Sequence, residues 1–201
     1  MLTKRMTVIT GMIGIFLVLV LTAFIYLMGI RGEFKKYLHE TYSELTFSVG
    51  FTRIDPIYGK FYANVTCLND YTSFPISKTF KTKEIHEDYI QYKSTIQYNT
   101  RIKEIFYGSK IERYIKNVTG GSKTPFEESA IYDQINIHLS DDAEQKNIAK
   151  ETLHMLKENN ISARLVIFTY EKDKHVYEIR LSSDDNYLTE KEIEARVRMI
   201  K

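Results

Sequence analysis

From Val8 to Ile30 the chain reads VITGMIGIFLVLVLTAFIYLMGI, with no charge and no proline. As a helix this run reaches roughly 34 Å at 1.5 Å per residue, enough to cross a hydrocarbon core of about 30 Å. A core helix of a soluble domain would carry a polar stripe at this length, and none is visible. The pattern predicts a transmembrane helix within residues 1–30. Lys4 and Arg5 precede it, as in a signal sequence, but no small-x-small cleavage site follows near Thr22 to Arg31. No lipobox cysteine is present either, so the expectation is an uncleaved signal-anchor and a single pass through the cell membrane. The flanking charges are nearly balanced, Lys4 and Arg5 against Arg31, Lys35 and Lys36. A short basic start, a long apolar run and a large C-terminal region is the usual signal-anchor order. It places the N-terminus inside and the rest extracytoplasmic.

After the anchor the periods change. Phe34, Tyr37, Leu38 and Thr41 or Tyr42 recur at helical spacing over Gly32 to Glu44, predicting a short stalk helix that leads out of the bilayer. Leu45 to Thr52 alternates apolar and polar, as does Phe61 to Leu68, and Phe74 to Phe80 reads as a third, shorter strand that Pro75 weakens near its start. Asp55-Pro56, Gly59 and Asn69-Asp70 supply turns. These three strands predict an antiparallel meander. From Lys83 the period is helical, with Ile85, Tyr89, Tyr92 and Ile96 on one stripe, continued by Ile102, Ile105 and Phe106. Gly108-Ser109 breaks or kinks that run before Ile111 to Val118.

Thr119 to Pro125, TGGSKTP, has paired glycines and no apolar residue, and reads as a linker. Beyond it Ile135 to Leu139 alternates as a strand, and Asp141 with Glu144 forms a capping box for a helix to about Asn159. Arg164 to Tyr170 is strongly β-prone, Lys172-Asp173-Lys174 is a tight hairpin loop, and Tyr177 to Leu181 alternates. Thr189 with Glu192 caps a final short helix. The fold class expected is therefore α+β: a transmembrane helix, then two small two-layer domains. Residues 31–118 form the first, ordered α-β-β-β-α, and residues 126–201 the second, ordered β-α-β-β-α. In the second, a right-handed βαβ crossover makes two strands parallel and the last pair a hairpin.

Composition adds limits. The hydrophobic and charged fractions, 43% and 27%, are those of an ordinary globular protein rather than a disordered one. A net charge of +2 is too small to argue for nucleic acid, and none is expected as a partner. The sign is uneven, since residues 31–118 carry about 14 basic and 10 acidic side chains and residues 119–201 about 12 and 16. This tilts the membrane-proximal half toward anionic headgroups or wall polymers. Cys67 is the lone cysteine, so the fold rests on its core without an internal disulfide. The Asn-x-Ser/Thr triplets at Asn64, Asn117 and Asn160 are as many as chance gives in such a chain.

No catalytic, cofactor or metal site is read from the sequence. The histidines, at 39, 86, 138, 154 and 175, form no helical pair with ligand spacing. His86-Glu87-Asp88 is better explained by acidic residues opening a helix. Gly120-Gly121-Ser122-Lys123-Thr124 lacks the Gly-Lys-Ser/Thr adjacency of a phosphate loop. Ser140-Asp141-Asp142 and Ser183-Asp184-Asp185 read as a cap and a polar turn, without the spacing of a calcium loop. There is no Gly-x-Ser-x-Gly elbow. A paired-carboxylate envelope hydrolase is disfavoured, because neither expected domain is large enough to enclose a deep cleft. Tyrosine is the enriched residue, at 15, while tryptophan is absent. Tyrosine fills cores, but it is also favoured at interfaces. Tyr98 and Tyr107 fall off the apolar stripe and are the candidate partner contacts, whereas Tyr92 lies on it and should be buried.

The helical exit Phe34-Lys35-Lys36-Tyr37-Leu38, the strands Thr46 to Phe51 and Gly59 to Leu68, and the opening Ile85-His86-Glu87-Asp88-Tyr89 compose a layout with a parallel elsewhere. With Ile135 to Leu139, the capped helix and Arg164 to Tyr170 with its hairpin, it resembles the uncharacterised YfjL-like proteins of Gram-positive bacteria. Those are small membrane-anchored proteins with two α+β domains. The resemblance covers most of the chain by pattern rather than by a diagnostic motif. It implies a Gram-positive cell-envelope setting and brings no catalytic residues. The leading expectation is a non-enzymatic envelope protein whose ectodomain binds another membrane or envelope protein or a wall component. The alternative is a ligand-sensing ectodomain holding a peptide or small molecule between its two domains.

Overall fold

The computed structural model describes residues 2–127, 131–141 and 143–201, with side chains of the first helix described from Gly11 onward. The chain divides into two units, one running to Tyr89 and the other spanning Ile90–Lys201.

In the first unit, α1 (Leu2–Thr41) is one continuous helix through the apolar run and the exit segment. Past the run, apolar residues contract to a stripe at i, i+4 and i+8: Ile30, Phe34 and Leu38, all buried. Such side chains each gain roughly 1.5–3 kcal/mol on leaving water, so this part of α1 is core rather than the free stalk its position suggested. It packs on a sheet of β1 (Phe47–Val49), β2 (Arg53–Asp55), β3 (Lys60–Cys67), β4 (Ser73–Thr79) and β5 (Ile85–Glu87). The order is β1-β3-β4-β5, with β2 also on β3, and every pairing is antiparallel. Ala63, Val65 and Cys67 point inward from β3 and meet Val49, Phe74 and Ile76, as their alternation requires.

Three readings of this unit are corrected. The expected strand Leu45 to Thr52 shrinks to β1, because the chain leaves the ladder at Gly50. There a Cβ would meet the Asn64 carbonyl oxygen at 2.9 Å. Pro75 does not weaken β4. The Asn64 carbonyl opposite it accepts from Gly50 N–H at 2.8 Å and so faces β1. Pro75 therefore owes no N–H to β3, and on its other side β5 reaches only to Ile76. Finally, Ile85-His86-Glu87 is an edge strand, not the opening of a helix.

The second unit takes α2 (Tyr89–Phe106) from Ile90 onward, followed by a 3₁₀ turn over Glu112–Tyr114. Then come β6 (Ile115–Gly121), β7 (Tyr132–Leu139), α3 (Gln145–Glu158), β8 (Ala163–Lys172) and β9 (His175–Leu181). A short α4 (Glu190–Glu194) and an edge strand β10 (Val197–Met199) close the chain. The sheet order is β10-β9-β8-β7-β6, with β7 and β8 parallel and the other neighbours antiparallel. A single core joins Tyr98, Ile102 and Phe106 of α2, Leu153 and Leu156 of α3, and Ile135, Ile137, Val166 and Phe168 of the sheet.

The linker reading of Thr119 to Pro125 is overturned, since Thr119, Gly120 and Gly121 pair with Asn136, Ile135 and Gln134. Gly120 is glycine because the Tyr132 ring lies 2.8 Å from where a Cβ would stand. The boundary falls instead where α2 begins, so 31–118 and 126–201 are not the units, and the segment Ile111 to Val118 is a turn and a strand. The loop Asp173-Lys174 has φ of 51° and 66°, the primed turn that matches strand twist. Asn160, at φ 55°, ends α3: its N–H donates to Lys157 C=O at 3.0 Å and that of Ile161 to Leu156 C=O at 2.8 Å. The Asp141–Glu144 box does not form. Helix α3 starts later, with Glu144 at its N-cap and no side-chain cap. The Thr189–Glu192 box does form.

Candidate functional site

From Gly11 to Tyr26 every side chain of α1 is exposed, and the helix is long and apolar enough to cross a membrane. Its continuation is buried in the first unit, so the apolar run and the domain share one helix. Arg31, one of the charges flanking the run, is engaged internally: its Nε and Nη2 donate to the Val49 carbonyl at 2.9 and 2.6 Å.

The tyrosines separate into two populations. Tyr98 is buried, at 0% exposure, with its ring 5.0 Å from that of Phe126 and 4.8 Å from that of Tyr132. It is not the exposed contact expected of it. Tyr107 is 84% exposed. Tyr92, expected to be buried, is exposed, and so is Ile96. The cause is helical phase. The expected stripe was aligned on Ile85, which belongs to a strand, and on Tyr89, which fills the first unit's core. The buried stripe of α2 is Ser94, Tyr98, Ile102, Ile105 and Phe106.

Two core tyrosines, the half-buried Tyr42 and the buried Tyr89, also meet carboxylates. Tyr42 donates to Glu87 Oε1 and Tyr89 to Asp70 Oδ2, each at 2.7 Å. Tyr42, Tyr89, Phe47 and Phe74 pack edge-on or tilted at 5.1–6.0 Å. Burial, reinforced by these hydrogen bonds, pushes both phenols well above their ordinary value. They stay neutral donors: Tyr42 ties the end of α1 to β5, and Tyr89 ties the start of α2 to the turn after β3. Burial pushes Tyr132 up to about 12, and its hydroxyl donates to Tyr98 C=O at 3.0 Å.

Within the second unit an open groove of about 670 Å³ runs beside α2, lined by Ile96, Gln97, Arg101, Glu104, Phe126 and Asn160 among others. The exposed Ile96 and the half-buried Phe126 give it apolar walls, and Arg101 and Glu104 give it charges of both signs. Sequence spacing pointed to the residues of α2 but assigned its faces wrongly.

The remaining motifs resolve into structure. Ser122 Oγ and Lys123 N–H donate to Asp133 Oδ2 at 3.1 and 2.9 Å, so the Gly-Gly-Ser-Lys-Thr segment already surrounds a carboxylate. Those two hydrogen bonds, the backbone one foremost, hold Asp133 below the usual carboxylate range. The Ser183-Asp184-Asp185 turn is a capped 3₁₀ segment, with Asp185 paired to Arg196 at 2.8 Å and Ser183 Oγ accepting from Ala163 N–H. Asp141 pairs with Lys116 at 2.7 Å, and Asp142 lies outside the described residues. Among the described residues no group of three or more His, Cys, Asp and Glu side chains is placed to hold a metal. Cys67 is buried in the first unit. Comparison of the chain with protein-family models, with curated proteins and with solved structures finds no match.

Proposed function

We propose that this is a single-pass membrane protein whose units lie outside the cytoplasm and bind another protein or an envelope component without catalysing a reaction. One observation carries the reading: a bare apolar helix continues unbroken into the core of a folded unit. A cleaved leader has no reason to be built into the domain it precedes, and cutting near Ile30 would remove a core side chain. The YfjL-like layout supports a Gram-positive envelope setting. The exposed apolar and aromatic side chains of α2, Tyr92, Ile96 and Tyr107, support a binding role.

The protein should sediment with membranes, resist alkaline extraction and require detergent for release. Protease added to intact cells or protoplasts should digest both units. Digestion only after lysis would reverse the orientation, and a soluble full-length chain would remove the anchor. A photocrosslinking side chain at Tyr107 or Ile96 should capture a partner that one at Tyr71 does not; equal capture at all three positions would remove α2 as the contact face.

A ligand-binding reading, with a small molecule held within the second unit and not between two domains, is favoured by the groove there, whose volume lies within the range of small-molecule sites. Ligand-induced shifts confined to Gln97, Arg101 and Asn160 amides would select it over protein binding.

A further inference from the structure

The apolar run of α1 and the sheet of the first unit overlap along the helix axis. Near one end Tyr42 packs on Phe47, 5.7 Å between ring centres, and Phe47 is paired with Cys67 at the end of β3. Near the other, Tyr26 packs on Phe61, 5.6 Å apart, and Phe24 stacks on Phe51, 6.3 Å apart. So β3 runs alongside α1 in the same direction, and the turn before it points back toward the bare part of the helix. A hydrocarbon core of about 30 Å takes about 20 residues of helix. Counted from Val8 it ends near residue 27. Phe24 and Tyr26, with the sheet side chains packed on them, therefore stand in the last turn of the span.

What the sheet presents there is unusual for a domain tip in water. Ile57 is 88% exposed and Tyr58 75%, with Phe51, Ile54 and Phe80 exposed beside them. Phe80 N–H donates to Gly59 C=O at 2.8 Å, and its ring lies 4.7 Å from that of Phe61, which ties the two turns into one surface. Scattered apolar residues need no explanation, but a cluster in adjoining turns does. The same turns carry Arg53, Lys60, Lys81 and Lys83 against Asp55 and Glu84. Lys60 Nζ sits 5.4 Å from the centre of the Tyr58 ring, and Asp55 is engaged by Tyr58 N–H at 3.1 Å. An apolar tip ringed by cations is the chemistry of an interfacial foot.

We infer that the turns around Ile57-Tyr58 and Phe80-Lys83 insert into the headgroup layer of the bilayer that α1 crosses, with their cations on anionic lipid headgroups. This rests on α1 being a span. The consequence is mechanical: the first unit is held to the membrane at two places, the helix and the foot, and so has a fixed height and tilt.

The chain has no tryptophan, so single substitutions give clean reporters. Full-length protein is reconstituted in vesicles of phosphatidylcholine and phosphatidylglycerol carrying bromines near the carbonyl end or near the chain terminus. Leu19→Trp, on the bare helix, should be quenched by the deep bromines. Tyr58→Trp should be blue-shifted and quenched by the shallow bromines at least about twofold more than Tyr71→Trp, at the opposite end of the same sheet. Quenching of the Leu19 reporter without quenching of the Tyr58 reporter overturns the foot and leaves the span. Equal quenching at Tyr58 and Tyr71 also overturns it, because the unit would then lie flat. An unquenched Leu19 reporter overturns the span and the foot together. If Lys81→Glu with Lys83→Glu leaves the Tyr58 quenching unchanged, the headgroup contact fails.

Discussion

Tyr98 offers the sharpest test of how the second unit is packed. Its ring is fully buried against Phe126 and Tyr132, yet its hydroxyl is enclosed with no hydrogen-bond partner among the described residues. The ring and the hydroxyl should therefore act in opposite directions. Tyr98→Ser removes an aromatic side chain of the kind whose truncation costs about 3–5 kcal/mol. At about 4 °C per kcal/mol for a unit of this size, Tm should fall by on the order of 15 °C. Tyr98→Phe keeps the ring and removes a polar atom whose unpaired burial costs about 1–3 kcal/mol, so Tm should hold or rise by about 4 °C. Tyr107→Ser, at an exposed position, should stay within about 0.5 kcal/mol of the parent. Circular dichroism melts of the full chain in detergent, following the transition of the second unit, measure all three. A small loss for Tyr98→Ser would place that ring outside the core. A loss above about 1 kcal/mol for Tyr98→Phe would mean the hydroxyl is partnered and its enclosure misread.

Three further outcomes are expected. The fragment Ile90–Lys201 should unfold cooperatively in urea, whereas Phe126–Lys201, stripped of α2 and β6, should be molten; cooperative unfolding of the shorter piece would detach α2 from the core. Gly120→Ala drives a Cβ against the Tyr132 ring and should cost about 1–3 kcal/mol in the same melt, and a neutral result would show that the ring yields. Tyr132 titrates at about 12 rather than at its ordinary 10.0, so its contribution is fully present below pH 10 and is lost as pH rises through 12. Stability measured against pH should fall less over that window in Tyr132→Phe, and identical slopes would mean that Tyr132 does not ionise differently on unfolding.

Local periodicity by itself determined the elements whose burial is decided within a few residues. The apolar helix needs no partner to be recognised, because length and absence of charge suffice. The alternations of β3, β7 and β9 were legible because one face of each is covered, and β8 because its run is strongly β-prone. The turn Asp173-Lys174 and the Thr189–Glu192 cap were legible because their hydrogen bonds are local. Tertiary structure decided what depends on distant neighbours. Ile85 to Glu87 is a strand because β4 offers an edge there, and Val197 to Met199 because β9 does. Thr119 to Gly121 carries the composition of a linker, yet β7 recruits its backbone and the Tyr132 ring fills the space a side chain would need. The faces of α2 also waited on the fold. Helical spacing fixes which residues share a face, but whether Tyr98 or Tyr92 turns inward depends on where the helix begins and which sheet it meets. The same holds for Ile57 and Tyr58: their exposure is a local fact of a turn, and only the packing of β3 along α1 aims that turn toward the bare part of the helix.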